Sequence, residues 1–270
     1  MIDKGTIKLT VNELVSALVM CGYEQVASQI LNDHKLIQNE AEFDRFVYEA
    51  ETSLRQKGYW DDDKPSNIAS GLEDLLHLLV QSTKKVRCVN IERERVALIH
   101  SINQEHSLIQ EIHSHEHTFW VHKNYEGFES ILRSHYGLES ANHGRSDLQT
   151  IQLSDDMFDG LHAAETVVLE RMVQDEEVDV SLRSFLKDFL HNEQELDNLA
   201  FMVSNFVEDQ SKFDQIVFLL PGEGLIWHID YEQVNNHEIF IHPVEIGEYF
   251  QKIEKTLLEF FHNSNKAENK

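Results

Sequence analysis

Apolar residues recur at helical spacing along most of the first 81 residues, and the stretch 10–31 shows the pattern most clearly. This stretch opens with Thr10 and Glu13, which have the spacing of a capping box. Gly22 is expected to interrupt the helix that follows, because glycine commonly ends helices. The same apolar period predicts further helices at 40–57 and at about 68–81.

The apolar period then shortens to two residues, which is the spacing expected of β-strands. This part of the chain is rich in Val, Ile, Phe and Trp, and polar turns divide it. It predicts strands at 86–92 (extending toward 100), 107–112 and 118–122, followed by a helix at 125–135.

A polar segment, 139–153, is predicted to link two halves of the chain, 1–138 and 154–262. The second half has the same order of elements as the first, and a polar tail, 263–270, is expected to fray. Its predicted helices are 155–173, 181–191, 193–206 and 245–261, and its predicted strands are 215–220, 224–231 and 238–242.

The two halves also share residues. The segment 117–122 followed by Gly127 matches 237–242 followed by Gly247 at an offset of 120, and the preceding strand matches at an offset of 117. We therefore predict an α+β fold with a pseudo-twofold duplication, in which each half has helices, a three-stranded antiparallel meander and a closing helix. The alternative is a chance agreement between two meanders.

Charge and composition exclude several classes of protein. Lys and Arg total 23 and Asp and Glu total 48, so the net charge is −25. Phosphate and anionic lipid both require a cationic surface, so neither nucleic-acid binding nor docking on an anionic membrane is expected. No apolar run approaches the length of a membrane span, and no secretory signal is visible, which predicts a cytoplasmic protein.

Cys21 and Cys88 are expected to be free thiols, and a disulfide between them is the alternative.

The densest group of titratable residues is His113-Ser-His115-Glu116-His117. It fits the H-x-x-E-H string of some zinc proteases, and a metal-dependent hydrolase centred on these residues is one alternative function. That chemistry requires the motif on a helix, whereas strand-like sequence flanks it here. A polar turn is therefore the preferred interpretation, and neither a metal nor a cofactor is expected.

Apolar strand residues point to partner binding instead. Strand 224–231 is apolar on both faces, and antiparallel meanders often leave one face open. The alternative is a strand buried on both faces. Exposed aromatic residues are typical anchors for a partner. The predicted partner-binding residues are Trp120, Leu225, Trp227 and Phe240.

Two segments carry a family resemblance. The stretch LTVNELVSAL at 9–18, leading to Gly22, and LRQKGY at 54–59, followed by an acidic loop, resemble the start of the type VII (ESX) secretion-associated chaperones of the EspG family. With the order of elements, the resemblance spans nearly the whole chain. It implies a cytosolic chaperone that binds helical-hairpin secretion substrates, and it implies no catalytic residues. The chain departs from the family in being acidic and rich in His.

The sequence thus favours a non-enzymatic chaperone or adaptor of a type VII-like secretion system. An immunity protein is the third candidate, because residues 141–270 carry a net charge of −17 against −8 for residues 1–140. Such an acidic half could bind a basic toxin, or it could serve only solubility.

Overall fold

The computed structural model describes residues 5–34, 40–139, 147–205, 210–231 and 236–263. Among these residues there are nine α-helices and ten β-strands, which confirms a mixed α+β fold. The elements of the first part of the chain are β1 (Ile7–Thr10), α1 (Val11–Met20), α2 (Glu24–His34), α3 (Glu40–Gln56), α4 (Ser70–Gln81), β2 (Lys84–Asn90), β3 (Arg95–Ser101), β4 (His106–His113), β5 (Glu116–Lys123) and α5 (Glu129–His135).

The second part of the chain has a similar succession of a short strand, helices, four strands and a helix. Its elements are β6 (Ile151–Ser154), α6 (Asp155–Ala163), α7 (Thr166–Gln174), α8 (Val180–His191), β7 (Asp197–Asn205), β8 (Gln210–Gly222), β9 (Leu225–Asp230), β10 (Glu238–Glu245) and α9 (Ile246–His262). Residues 140–146 of the predicted linker and 264–270 of the predicted tail lie outside the described residues, and β6 occupies the end of that linker.

Both meanders have one strand more than predicted. The strand expected from 86 toward 100 is two strands, β2 and β3, joined by a turn in which Glu94 has a φ of 50°. The helix expected at 193–206 is wrong, because this segment contains strand β7. Glu193 and Gln194 both have positive φ values (58° and 62°), which ends helix α8 and prevents a new helix from starting there.

The first helix follows its prediction closely. Thr10 accepts a hydrogen bond from the backbone N–H of Glu13, and the Glu13 carboxylate accepts one from the backbone N–H of Thr10, so the capping box is confirmed. Gly22 has a φ of 82°, and its N–H donates to the carbonyl of Val19, which ends α1 as expected.

The chain divides into two compact units that interleave along the sequence. They do not coincide with the predicted halves 1–138 and 154–262. In the first unit the strands neighbour one another in the order β1-β5-β4-β3, and in the second in the order β2-β7-β8-β9-β10-β6. The first unit comprises Met1–Lys85, Leu98–Lys123 and Val203–Lys212, and the second comprises Val86–Ala97, Asn124–Met202 and Phe213–Lys270.

Each unit has its own apolar core on one face of its strands. In the first unit, α1, α3 and α4 contribute to a cluster that includes Leu9, Leu108 and Phe119 from the strands. In the second unit, α6, α7 and α8 contribute to a cluster that includes Trp227 and Ile241. The helices are thus held to the strands mainly by burial of aliphatic and aromatic side chains.

Strand pairing corrects the predicted sequence offset between the two halves. In the first unit Leu9 pairs with His117, and Val11 N–H donates to the carbonyl of His115. In the second unit Leu153 pairs with Ile239, and the N–H of Asp155 donates to the carbonyl of His237. By strand pairing, His115 and His237 take matching positions 122 residues apart, whereas the predicted alignment used an offset of 120. The predicted alignment gave the correct strand face, since an error of two residues keeps a side chain on the same side.

Candidate partner-binding surface

Two of the four predicted partner-binding residues are buried. Leu225 is 3% exposed and Trp227 is 0% exposed, so the expectation that they form an open surface is wrong. The Trp227 indole packs edge-on against the ring of Phe185, with ring centroids 5.7 Å apart. Helices α6–α8 cover this face of β9, which period-two alternation alone could not reveal.

The other two predicted residues are half-buried. Trp120 lies opposite Ile109 in the β4–β5 pairing, on the face of β5 that points away from the Phe119 side of the strand. Phe240 lies on β10, and its ring stacks near-parallel to that of His242 with centroids 6.2 Å apart. Trp120 and Phe240 are therefore the predicted residues that remain available to a partner.

The structure adds two exposed side chains next to Trp120 in sequence. Val121 is 54% exposed on β5, and Tyr125 is 78% exposed in the turn that follows this strand. Val121 faces the same side of the strand as the buried Phe119. Alternation along a strand gives the direction of this side chain but cannot show that the position is left uncovered.

The histidine cluster is divided by the β4–β5 hairpin. His113 and Glu116 pair across the turn, and Ser114 occupies it with a φ of 56°. His115 is exposed, whereas His117 is buried and its Nδ1 lies 2.8 Å from the side-chain nitrogen of Gln110. The helical arrangement that the H-x-x-E-H chemistry requires is therefore not met. Within the described ranges no group of three or more His, Cys, Asp or Glu residues is arranged to hold a metal ion.

The second unit contains an open cleft of about 950 Å³ that the sequence did not predict. Its walls come from α7, α8, the turn between β2 and β3, the end of α5 and the turn between β8 and β9. The residues that line it are Glu92, Arg93, Tyr136, Gly137, Leu138, Glu170, Val173, Gln174, Lys187, Asp188, Leu190, His191, Pro221, Gly222 and Glu223.

A tight contact between α8 and the β8–β9 turn borders this cleft. The indole Nε1–H of Trp227 donates to Oδ2 of Asp188 at 2.8 Å. A Cβ added at Gly222 would lie 2.5 Å from the same oxygen, so a larger residue there would require the Asp188 carboxylate to move. Burial raises the pKa of the Asp188 carboxyl group, and the Trp227 hydrogen bond opposes that shift.

A histidine–glutamate contact and an ion pair lie along the cleft. His191 Nε2 is 3.2 Å from Glu92 Oε1, and Lys187 Nζ is 3.5 Å from Glu223 Oε2. All four side chains are largely exposed, so these pairs contribute little to stability.

Comparison with known proteins identifies the fold. No family model matches the chain, and no curated protein matches it in sequence. Solved structures do match, including that of EspG5, the Mycobacterium tuberculosis type VII secretion system chaperone, in complex with a PE25–PPE41 dimer. The match covers 94% of this chain and 96% of EspG5, with a TM-score of 0.56 and 10% sequence identity. The resemblance seen in 9–18 and 54–59 is thus confirmed at the level of structure, and the chain has an EspG-like fold.

Proposed function

We propose that this protein is a non-enzymatic, cytoplasmic chaperone that binds helical substrates of a type VII-like secretion system. The observation that carries the proposal is the fold match, because it spans 94% of this chain and 96% of a type VII secretion chaperone. EspG5 was solved with a PE25–PPE41 dimer bound, which supports a secreted protein as the kind of partner. No helix in the described part of the chain is long and apolar enough to cross a membrane.

The proposed contact residues are Trp120 and Phe240. The exposed Tyr125 follows Trp120 closely in sequence, whereas Val121 faces the opposite side of β5 and is not included. Aromatic residues that are partly open in the free protein are typical anchors of protein interfaces. An amphipathic helix could lay its apolar stripe on either of these residues and would be shielded from water while bound.

We also propose that the fold arose by duplication of one unit. Each part has a short strand that pairs with the last strand of a four-stranded meander, and each short strand leads directly into a helix. The side-chain caps of these two helices, Thr10 and Ser154, occupy equivalent places. Position by position, Leu9 and Phe119 correspond to Leu153 and Ile241, and all four are buried.

The two alternative functions have no specific observation in their favour. A hydrolase would require His113, His115, Glu116 and His117 to converge. The hairpin places His113 opposite Glu116, but strand alternation directs His117 to the other face. His115 lies in the turn between the two strands. An immunity protein would require a basic toxin, and only the net charge of −25 points that way.

Co-expression tests the proposal. The chain would be produced with each small helical protein encoded beside it in the genome, and complexes would be isolated through a tag on the chaperone. Trp120→Ala and Phe240→Ala are expected to weaken a complex by about tenfold or more, as for truncated interface anchors. The matched control is Tyr48→Ala, since Tyr48 is 72% exposed but lies on α3. A complex weakened equally by all three substitutions would refute the assigned contacts, and the absence of any complex would refute the chaperone function.

A further inference from the structure

A row of three buried polar side chains crosses the core face of the first unit. His100 on β3, Gln110 on β4 and His117 on β5 are 3%, 6% and 4% exposed. Gln110 pairs with Phe119, whose ring lies in the apolar core, so the Gln110 side chain points to that same face. His117 lies two residues before Phe119 on the same strand and therefore also points there. We call these three residues the polar row.

Two hydrogen bonds join the members of the polar row. His100 Nε2 lies 3.1 Å from Gln110 Oε1, and Gln110 Nε2 lies 2.8 Å from His117 Nδ1. An amide oxygen only accepts hydrogen bonds and an amide nitrogen only donates them. His100 therefore carries a proton on Nε2, whereas His117 has none on Nδ1 and is neutral.

The polar row has no place for an added proton. The other ring nitrogen of His100, Nδ1, is buried and has no hydrogen-bond partner within the described ranges. A proton there would leave a charged donor without an acceptor in the core, which is costly. A proton on His117 Nδ1 would face the amide N–H of Gln110. Turning the amide over would satisfy His117 but would push the His100 proton onto its partnerless Nδ1.

The charged groups on the strands do not favour an added proton either. Burial, and then the positive charge of Lys85 on β2, lower the pKa of His100 from 6.5 to about 4. By alternation, His106 on β4 and Lys123 on β5 lie on the same face as the polar row, further along their strands. All three of these neighbours are bases, so none of them can neutralise an imidazolium ion.

The titratable groups of the covering helices are already bonded elsewhere. In the described parts of α1–α4, the charged side chain that is buried is Glu13. Its carboxylate accepts hydrogen bonds from Ser53 Oγ and Lys57 Nζ, at 2.5 Å and 2.7 Å. His77 on α4 is exposed, and its Nδ1 lies 2.8 Å from the Tyr23 hydroxyl. An imidazolium ion in the polar row would thus displace existing bonds to gain a counter-charge.

We propose that the polar row is an acid-sensitive switch of the first unit. At neutral pH it ties β3, β4 and β5 together beneath the helices. A proton added to either ring breaks a bond of the row or leaves a charged donor without an acceptor, so the unit opens more readily as the pH falls. The switch is a property of the free chain and does not depend on the proposed function.

Imidazole ¹⁵N chemical shifts of the unmodified protein test the arrangement directly. At pH 7.5 both His100 and His117 should be neutral Nε2–H tautomers. An imidazolium ion at either position, or an Nδ1–H tautomer of His117, would overturn the proposal without any substitution being made.

Urea unfolding between pH 7.5 and 4.5 measures the switch. The unfolded chain binds a proton on His100 at a higher pH than the folded chain, so stability from this residue is lost as the pH falls from 6.5 toward 4. His100→Gln keeps a donor near the place of Nε2 but cannot titrate. Relative to the parent, its folding equilibrium constant should therefore rise about 50-fold over this pH range, because all other groups are common to both proteins.

Two further variants distinguish a switch from a row that is only structural. Gln110→Glu supplies a second acceptor oxygen, so both rings can carry protons and the variant should lose less stability in acid than the parent. His113→Gln is the matched control, because His113 is exposed on the β4–β5 hairpin, and its pH profile should follow that of the parent. A profile of His100→Gln or Gln110→Glu parallel to that of His113→Gln would overturn the proposal.

Discussion

Replacing Lys57 with methionine tests how the first helix is held in place. Glu13 is 1% exposed as a whole residue. Its carboxylate accepts hydrogen bonds from Thr10 N at 2.6 Å, Ser53 Oγ at 2.5 Å and Lys57 Nζ at 2.7 Å. Burial alone would raise the Glu13 pKa, but the bonds from Lys57, Ser53 and Thr10 leave it lowered. The substitution removes the only positive charge among these three donors.

The loss of unfolding free energy in Lys57→Met follows from the intermediate burial of the Lys57–Glu13 ion pair. Removing one partner of a buried ion pair costs about 3–5 kcal/mol, and an exposed pair is worth about 0–1 kcal/mol. The Lys57 side chain is 36% exposed while that of Glu13 is 2% exposed, so we expect a loss of about 2 kcal/mol. Lys8→Met is the matched control, because the Lys8–Glu116 pair is exposed on both sides and should cost under about 0.5 kcal/mol.

The measurement is urea unfolding of the parent and both variants at several pH values. Because the Glu13 pKa is lowered in the folded state, its stabilising contribution is present above its ordinary value of 4.5 and is lost as the pH falls through the folded value. The difference between the parent and Lys57→Met should therefore shrink in acid. Equal losses for the two lysine variants, or a difference independent of pH, would refute the reasoning.

Two further stability predictions concern the second unit. Gly222→Ala should lower the melting temperature, because the added Cβ would clash with Asp188. Gly160→Ala on α6 is the control, since its Cβ meets no atom within 4 Å and the substitution should be neutral or stabilising. Thermal unfolding of both variants distinguishes these outcomes. Burial raises the pKa of Asp197 from 3.8 to about 6, so the folded protein binds a proton on this group at a higher pH than the unfolded chain does. The free energy of unfolding therefore rises as the pH falls from about 6 toward 3.8. Asp197→Asn should remove about 3 kcal/mol of this change in unfolding free energy with pH, as measured by urea unfolding. Parallel pH profiles for the parent and the variant would contradict this prediction.

Local signals in the sequence were sufficient for most helices and for the first capping box. Thr10 and Glu13 act through hydrogen bonds within one helical turn, so their spacing alone predicted the cap. The prediction for the segment around β7 was wrong because an apolar run such as 199–203 is compatible with a helix or a strand. The positive φ values of Glu193 and Gln194, which decide the matter, have no signature in those residue types.

The candidate surface could be predicted only in part. Alternation along β5 and β10 identified Trp120 and Phe240, but the burial of Leu225 and Trp227 depends on helices that are distant in sequence. The cleft beside α8 was not predicted because its walls come from α7, α8 and the β8–β9 turn, which only the fold brings together. The predicted offset between the halves differs by two residues from the offset that strand pairing gives, since strand register is set by pairing rather than by local sequence.

The most direct test of the central claim is whether the chain keeps a helical export substrate soluble. Each small helical protein encoded beside this chain in the genome would be produced alone and together with the chain. Light scattering after gel filtration would report the mass and aggregation of each sample. The chaperone account predicts a defined complex of stoichiometric mass in place of aggregated substrate. A substrate that aggregates equally with and without the chain, across every such neighbour, would contradict the account.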